Sequence, residues 1–125
     1  MLLCANWDLV ASKVTPSTIT ITPASASITI IGSSSWKCNG LAWLNVRVSS
    51  TEAGQVGINM NLFTLDSTSL PLANSITVPF VVINNDLNIC ARGWLLSGYA
   101  TVGITPLTSI PANAELQMYV CYRYA

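Results

Sequence analysis

Apolar and polar side chains alternate with a period of two along much of this chain, the spacing of a strand with one buried side. Thr18-Ile19-Thr20-Ile21-Thr22 alternates cleanly. Ser27-Ile28-Thr29-Ile30-Ile31 follows, after a turn at Pro23-Ala24-Ser25-Ala26. Ala42, Leu44, Val46 and Val48 share one face of the next strand, with Trp43, Asn45 and Arg47 on the other. Val56, Ile58, Met60 and Leu62 read as a further inward set, opposed by Gly57, Asn59 and Asn61. Pro79 interrupts an apolar run from Ile76 to Ile83, which predicts an edge strand or a bulge. Asn84-Asn85-Asp86 is a turn signal, because Asn and Asp tolerate left-handed backbone. Leu87, Ile89 and Ala91 are expected inward beyond it, with Arg92-Gly93 ending or kinking the strand. Ala100, Val102 and Ile104 point one way and Tyr99, Thr101 and Gly103 the other. The last strand sets Leu116, Met118, Val120, Tyr122 and Tyr124 against Glu115, Gln117, Tyr119, Cys121 and Arg123.

No window sustains the i, i+3, i+4, i+7 stripe of an amphipathic helix. About nine short strands at roughly 10-residue spacing predict an all-β fold: an antiparallel β-sandwich, jelly-roll-like. The 125 residues suffice for one domain, 1–125. Residues 1–14 join either the sandwich or a neighbouring subunit, as an N-terminal arm or a linker to a preceding stalk.

Composition changes the picture of the surface. Hydrophobic residues make up 51% of the chain and charged residues 8%, where about 25% charged is usual. A surface so poor in charge is expected to be covered in part by a partner, and self-association is the simplest cover. Net charge is zero and no basic run occurs, which argues against nucleic acid. Val14 to Trp36 and Gly93 to Ala114 carry no charge, but prolines and many Ser and Thr break both. They read as strands, so no membrane insertion is expected. Met1-Leu2-Leu3-Cys4 lacks the charged start and long apolar core of a secretion signal.

The chain contains no histidine. A serine or cysteine nucleophile therefore lacks its usual base. Ser12-Lys13 and Trp36-Lys37 offer only sequence neighbours. The carboxylates Asp8, Glu52, Asp66, Asp86 and Glu115 fall mostly in predicted loops. Cys4, Cys38, Cys90 and Cys121 are widely spaced without a CxxC, which argues against zinc. Three disulfide pairings are open, and four reduced, mostly buried thiols are the plainer reading. The expectation is a protein without catalytic residues, metal or cofactor.

Binding is better supported. Trp7, Trp36, Trp43 and Trp94 are many indoles for this length. Sugar rings stack their apolar faces on aromatic rings, while neighbouring polar groups take the hydroxyls. Trp43 shares its predicted face with Asn45 and Arg47. Trp94 lies in a loop-like setting between Arg92 and Tyr99, and Asp86 occupies a turn. The candidate ligand-binding residues are thus Trp43, Asn45, Arg47, Asp86, Arg92, Trp94 and Tyr99. Packing against the core or a neighbouring subunit is the plainer account of the tryptophans, and a tight turn that of Asp86.

Three stretches carry a family resemblance: "WKCNGLAWLNVRVSS", "LFTLDSTSLPLANSITVPFVVINN" and "GWLLSGYATVGITPLTSIPANAELQMYVCYRYA". A strand follows the turn Lys37-Cys38-Asn39-Gly40. Leu65 to Pro79 carries Pro71 and Pro79, without the Gly-Tyr-Arg that the pattern usually places there. Ser109-Ile110-Pro111-Ala112-Asn113 leads into the closing strand to Tyr122. Over about residues 28 to 125 the chain resembles the C-terminal head (tip) domains of bacteriophage receptor-binding and tail-fibre proteins. The resemblance implies a β-sandwich head, usually a homotrimer, at a phage tail or baseplate. Such heads bind host cell-surface polysaccharide or protein and attach to other virion proteins. It further implies a place in the virion, at the tail tip, after assembly in the host bacterial cytoplasm. No motif of the family fixes its binding residues. The alternatives are a purely structural virion protein of the baseplate or capsid decoration, and a bacterial carbohydrate-binding or adhesin module.

Overall fold

The computed structural model describes residues 16–72 and 77–124. Cys4, Trp7, Asp8, Lys13, Ile76 and the expected N-terminal arm lie outside them. The described chain is all-β, with ten strands. They are β1 (Ser17–Thr18), β2 (Ile21–Pro23), β3 (Ile28–Ser33), β4 (Trp36–Cys38), β5 (Leu41–Ser50), β6 (Met60–Leu65), β7 (Val78–Ile83), β8 (Ile89–Leu95), β9 (Thr101–Pro106) and β10 (Glu115–Arg123).

All pairings are antiparallel, in the order β1-β4-β5-β10-β7-β8-β9-β6-β2, with β3 beside β4 along β5. The sheet curls into a half-barrel. Its two ends are tied by one short segment, because β1 pairs with β4 while β2 pairs with β6. Ile19, between them, is buried. β7, β8 and β9 run as a meander, and β10 returns beside β7, which is the strand order of a Greek key.

The concave face is the core. β5 contributes Ala42, Leu44, Val46 and Val48, and β10 contributes Leu116, Met118, Val120 and Tyr122, all buried. Phe80, Val82, Leu95, Val102, Ile104, Leu62, Phe63 and Leu65 complete one continuous cluster. The alternation in β5, β9 and β10 thus runs as their sequences predict. Truncating Leu44 or Phe63, both fully buried, to alanine should cost about 2–5 kcal/mol.

Three bulges interrupt the ladder, and the one in β8 moves Ile89 away from the face expected of it. In β8, Val82 pairs with Ala91 and Ile83 with Ile89, which leaves Cys90 as the extra residue. Cys90 and Ala91 are therefore both buried and Ile89 is turned outward, while Leu87 is exposed in the turn that precedes the strand. In β6 the extra residue is Leu62, so Leu62 and Phe63 are both buried. Val56 and Ile58, expected inward, precede the strand and are exposed. Ile31 is the extra residue of β3, and is exposed. A bulge shifts the two-residue period by one, so alternation read across it assigns the wrong face.

Turn chemistry follows the sequence at Asn39-Gly40, but in the β7–β8 turn the left-handed residue is Leu87, φ 62°, and not Asn84, Asn85 or Asp86. Asn39 and Gly40 both take positive φ, 51° and 85°, as a two-residue hairpin turn between β4 and β5 requires. In the β7–β8 turn, Asn84 Oδ1 accepts from the backbone N–H of Asp86 and Asn88. Pro79 lies inside β7, opposite Trp94, but β10 pairs with β7 only at Val82 and Ile83. The strand is thus an edge at Pro79 on the β10 side, the setting in which a strand tolerates proline. Gly93 does not end β8, which continues to Leu95. The ring of Phe80 occupies the space that a side chain at Gly93 would need.

Candidate functional site

The sequence-predicted residues divide into two groups on the convex face, with Asp86 apart. Trp43, Asn45 and Arg47 lie on β5, while Arg92 and Trp94 lie on β8 and Tyr99 in the β8–β9 turn. β10 and β7 separate β5 from β8, a distance of roughly 14 Å at ordinary strand spacing. Asp86 sits in the β7–β8 turn, outside both groups.

In the first group Trp43 is half-buried and stacks on Trp36, with ring centroids 4.3 Å apart and planes 22° from parallel. Trp36, Trp43 and Cys121 are consecutive partners across β4, β5 and β10. One face of Trp43 is therefore already occupied. Asn45 and Arg47 line a shallow hollow of about 260 Å³ with Gly32, Ser33, Ser34 and Gln117, and Trp43 does not reach it. The Arg47 guanidinium pairs with the Glu115 carboxylate. This group presents aromatic surface and a neutralised arginine.

The second group forms a groove of about 330 Å³. Pairing builds it: Trp94 on β8 faces Gly103 on β9, which faces Asn61 on β6. All three point to the convex side. Gly103 has no side chain, so a gap opens between the indole and the amide. A Cβ there would lie 3.0 Å from the Oδ1 atoms of both Asn59 and Asn61. Leu96, Tyr99 and Thr101 complete the lining. Trp94 and Tyr99 remain 40% and 65% exposed, enough ring surface to receive a ligand.

The groove is held from several sides. Tyr99 N–H donates to Leu96 O within the β8–β9 turn, and Ser97 Oγ and Gly98 N–H donate to Leu72 O and Pro71 O. On the opposite wall, Gly57 N–H donates to Pro106 O and Ile58 N–H to Gln55 O, which places Asn59. Asn59 Nδ2 donates to Asn61 Oδ1 at 3.0 Å. That bond leaves an acceptor on Asn59 and a donor on Asn61 turned to other partners. The Arg92 guanidinium lies over Trp94, 5.1 Å from the ring centroid, a cation–π contact that holds the indole in place. Among the described residues, ion pairs form at Lys37–Asp66 and Arg47–Glu115, and Arg92 has no acidic partner.

No carboxylate, amine or thiol lines this groove. It offers two aromatic rings, two amides and the hydroxyls of Tyr99 and Thr101, the means to stack a ring and to exchange hydrogen bonds with hydroxyl or amide groups. Asn59, Asn61 and Thr101 were not among the candidates drawn from the sequence. Alternation had placed them on a solvent face, but only the pairing of β6 with β9 and β9 with β8 sets them beside Trp94.

A second polar cluster, at the β6–β7 connection, serves the fold. The Asp66 carboxylate accepts from Thr68 N–H and Oγ1, Ser69 Oγ and Thr20 N–H. Lys37 Nζ bonds Thr68 O, Thr68 Oγ1 and Ser69 Oγ, 4.0 Å from Asp66. Tyr122 donates its buried hydroxyl to Ser69 O at 2.6 Å. Burial alone would raise the Asp66 carboxyl. The hydrogen bonds from Thr68, Ser69 and Thr20 outweigh it and hold the group at about 2. Burial, and then the Asp66 charge, push the Tyr122 phenol well above its usual value.

The thiols differ in exposure. Cys90 is buried and donates toward Val82 O, Cys38 is half-buried and Cys121 is exposed, so "mostly buried" does not hold for Cys121. None of these three is in a disulfide. No protein family, curated protein or solved structure matches this chain.

Proposed function

We propose that this chain is a host-recognition head domain of a phage tail or baseplate protein, binding cell-surface saccharide non-catalytically. The observation that carries the binding reading is the gap over Gly103, floored and flanked by Trp94, Tyr99, Asn59 and Asn61. An aromatic wall facing paired amides suits a pyranose ring, whose C–H face stacks while its hydroxyls bond to the amides. The phage assignment rests on the resemblance of the strand-and-turn pattern over about residues 28 to 125. The Greek-key order of β7 to β10 is compatible with a jelly-roll head.

The reading includes a homotrimer. Trp36, Leu41 and Tyr119 are exposed on the β4–β5–β10 face, and neighbouring copies would cover them. A single groove binds a sugar weakly, and several copies on one virion raise the avidity.

Two experiments test this. The protein is incubated with purified cell walls from a panel of bacterial strains, and the Trp94→Ala and Trp43→Ala variants are run beside it. Retention on some walls and not others, lost in Trp94→Ala and kept in Trp43→Ala, is expected. No retention on any wall, or retention indifferent to Trp94, overturns the saccharide reading. Light scattering should give about three times 13.3 kDa, and a monomer would refute the trimer.

A further inference from the structure

A larger hollow of about 430 Å³ opens where the β2–β3 turn faces the β5–β6 connection, lined by Ser25, Ser27, Ser50, Glu52, Gln55 and Ile58. Asn59 and Asn61 line this hollow as well as the Trp94 groove. The two cavities therefore meet at one pair of amide side chains. We infer that they are adjoining subsites for an extended oligosaccharide, one sugar unit against Trp94 and Tyr99 and a neutral unit beside Glu52 and Gln55. This deepens the saccharide reading above and rests on it.

Size favours two units over one. Ligand cavities commonly span about 300–1,000 Å³, and each of these lies near the lower end, at about 330 and 430 Å³. Neither suits a long chain alone, while the two adjoin at Asn59 and Asn61. The linings also differ in chemistry. The Trp94 side is aromatic, suited to stacking. The other side carries hydroxyls, an amide and one carboxylate, suited to accepting and donating hydrogen bonds at sugar hydroxyls. The Glu52 carboxylate would repel an anionic unit, which is why the unit there is neutral. The connection that supplies Glu52 and Gln55 is fastened to the β9–β10 connection, since Gly54 and Ile110 exchange both backbone hydrogen bonds, at 2.8 and 3.0 Å. The second subsite thus has an anchor of its own.

Calorimetry with size-fractionated fragments of one, two, three and four sugar units tests the inference, the fragments being cut by partial hydrolysis from cell-wall polysaccharide of a strain that retains the protein. Affinity is expected to rise at least tenfold from one unit to three and then level off. Glu52→Ala/Gln55→Ala, a change of two exposed loop side chains, should weaken the three-unit fragment at least fivefold and leave the single unit unchanged. Trp94→Ala should weaken every fragment. Equal affinity for one and three units, or a double variant that binds the three-unit fragment like the parent, overturns the second subsite while the Trp94 groove stands. If no strain's wall polysaccharide binds at all, the saccharide reading fails and the second subsite with it.

Discussion

Gly103 faces Asn61 across the β6–β9 ladder, and a methyl group on Gly103 would come within 3.0 Å of the amide oxygens of both Asn59 and Asn61. The groove exists because that methyl is missing. Gly103→Ala should therefore weaken saccharide binding at least tenfold. It should cost about 1 kcal/mol of stability, because the two amide ends can move aside while the Met60 carbonyl oxygen, 3.1 Å from that methyl, gives less easily. Cell-wall retention and thermal unfolding, measured on the same preparation, check the two halves. Unaltered retention would mean that the ligand does not use this gap.

Gly93 is the opposite case. It is buried in β8, and a Cβ there would meet the Phe80 ring and, at 2.8 Å, the Gly103 carbonyl oxygen. A ring in the core and a backbone oxygen cannot both move aside cheaply. Gly93→Ala is expected to lose about 1–3 kcal/mol. Urea unfolding should show a lower midpoint with an unchanged slope. A midpoint equal to the parent's would show that Phe80 repacks freely.

Asp66 makes part of the stability depend on acid. Its carboxyl lies near 3.8 when unfolded and about 2 in the folded chain. A depressed folded value means that the contribution is complete above about pH 4 and is lost as the pH falls through the interval down to 2. Asp66→Asn should be less stable than the parent by about 1–2 kcal/mol at pH 7, the lower part of the range for charged hydrogen bonds because the group is partly solvated. The gap between the two proteins should close between pH 4 and pH 2. Parallel stability curves across that interval would rule out this role for Asp66.

In the dissociated chain the three described thiols should react in order of exposure: Cys121 first, Cys38 more slowly, and Cys90 only on unfolding. The proposed homotrimer should slow Cys121, which lies beside Trp43 and Tyr119 on the covered face. Burial also pushes the Cys90 thiol up, which lowers its thiolate fraction further. Iodoacetamide labelling of the native protein, read by peptide mass, gives the order directly. Native labelling of Cys90 at the rate of Cys121 would show that β8 opens at its bulge.

Alternation by itself determined the inward and outward sets of β5, β9 and β10. Side chains on an extended backbone must alternate, and one side of each strand is buried. The turn at Asn39-Gly40 was equally legible, since its two positive φ values are a local demand that Asn and Gly meet. Trp94 and Tyr99 could be singled out because exposed aromatic rings near polar residues are a local signal too. The tertiary structure alone decided the rest. The bulge at Cys90 reversed the face that the period had assigned to Ile89, and the bulge at Leu62 buried Phe63 beside it, because the extra residue is defined by the partner strand. It divided Trp43 from Trp94, and it brought Asn59 and Asn61 to Trp94 through β9, more than 30 positions along the chain. Which strands become neighbours depends on burying all the inward faces together in one curled sheet, and no local stretch of sequence carries that information.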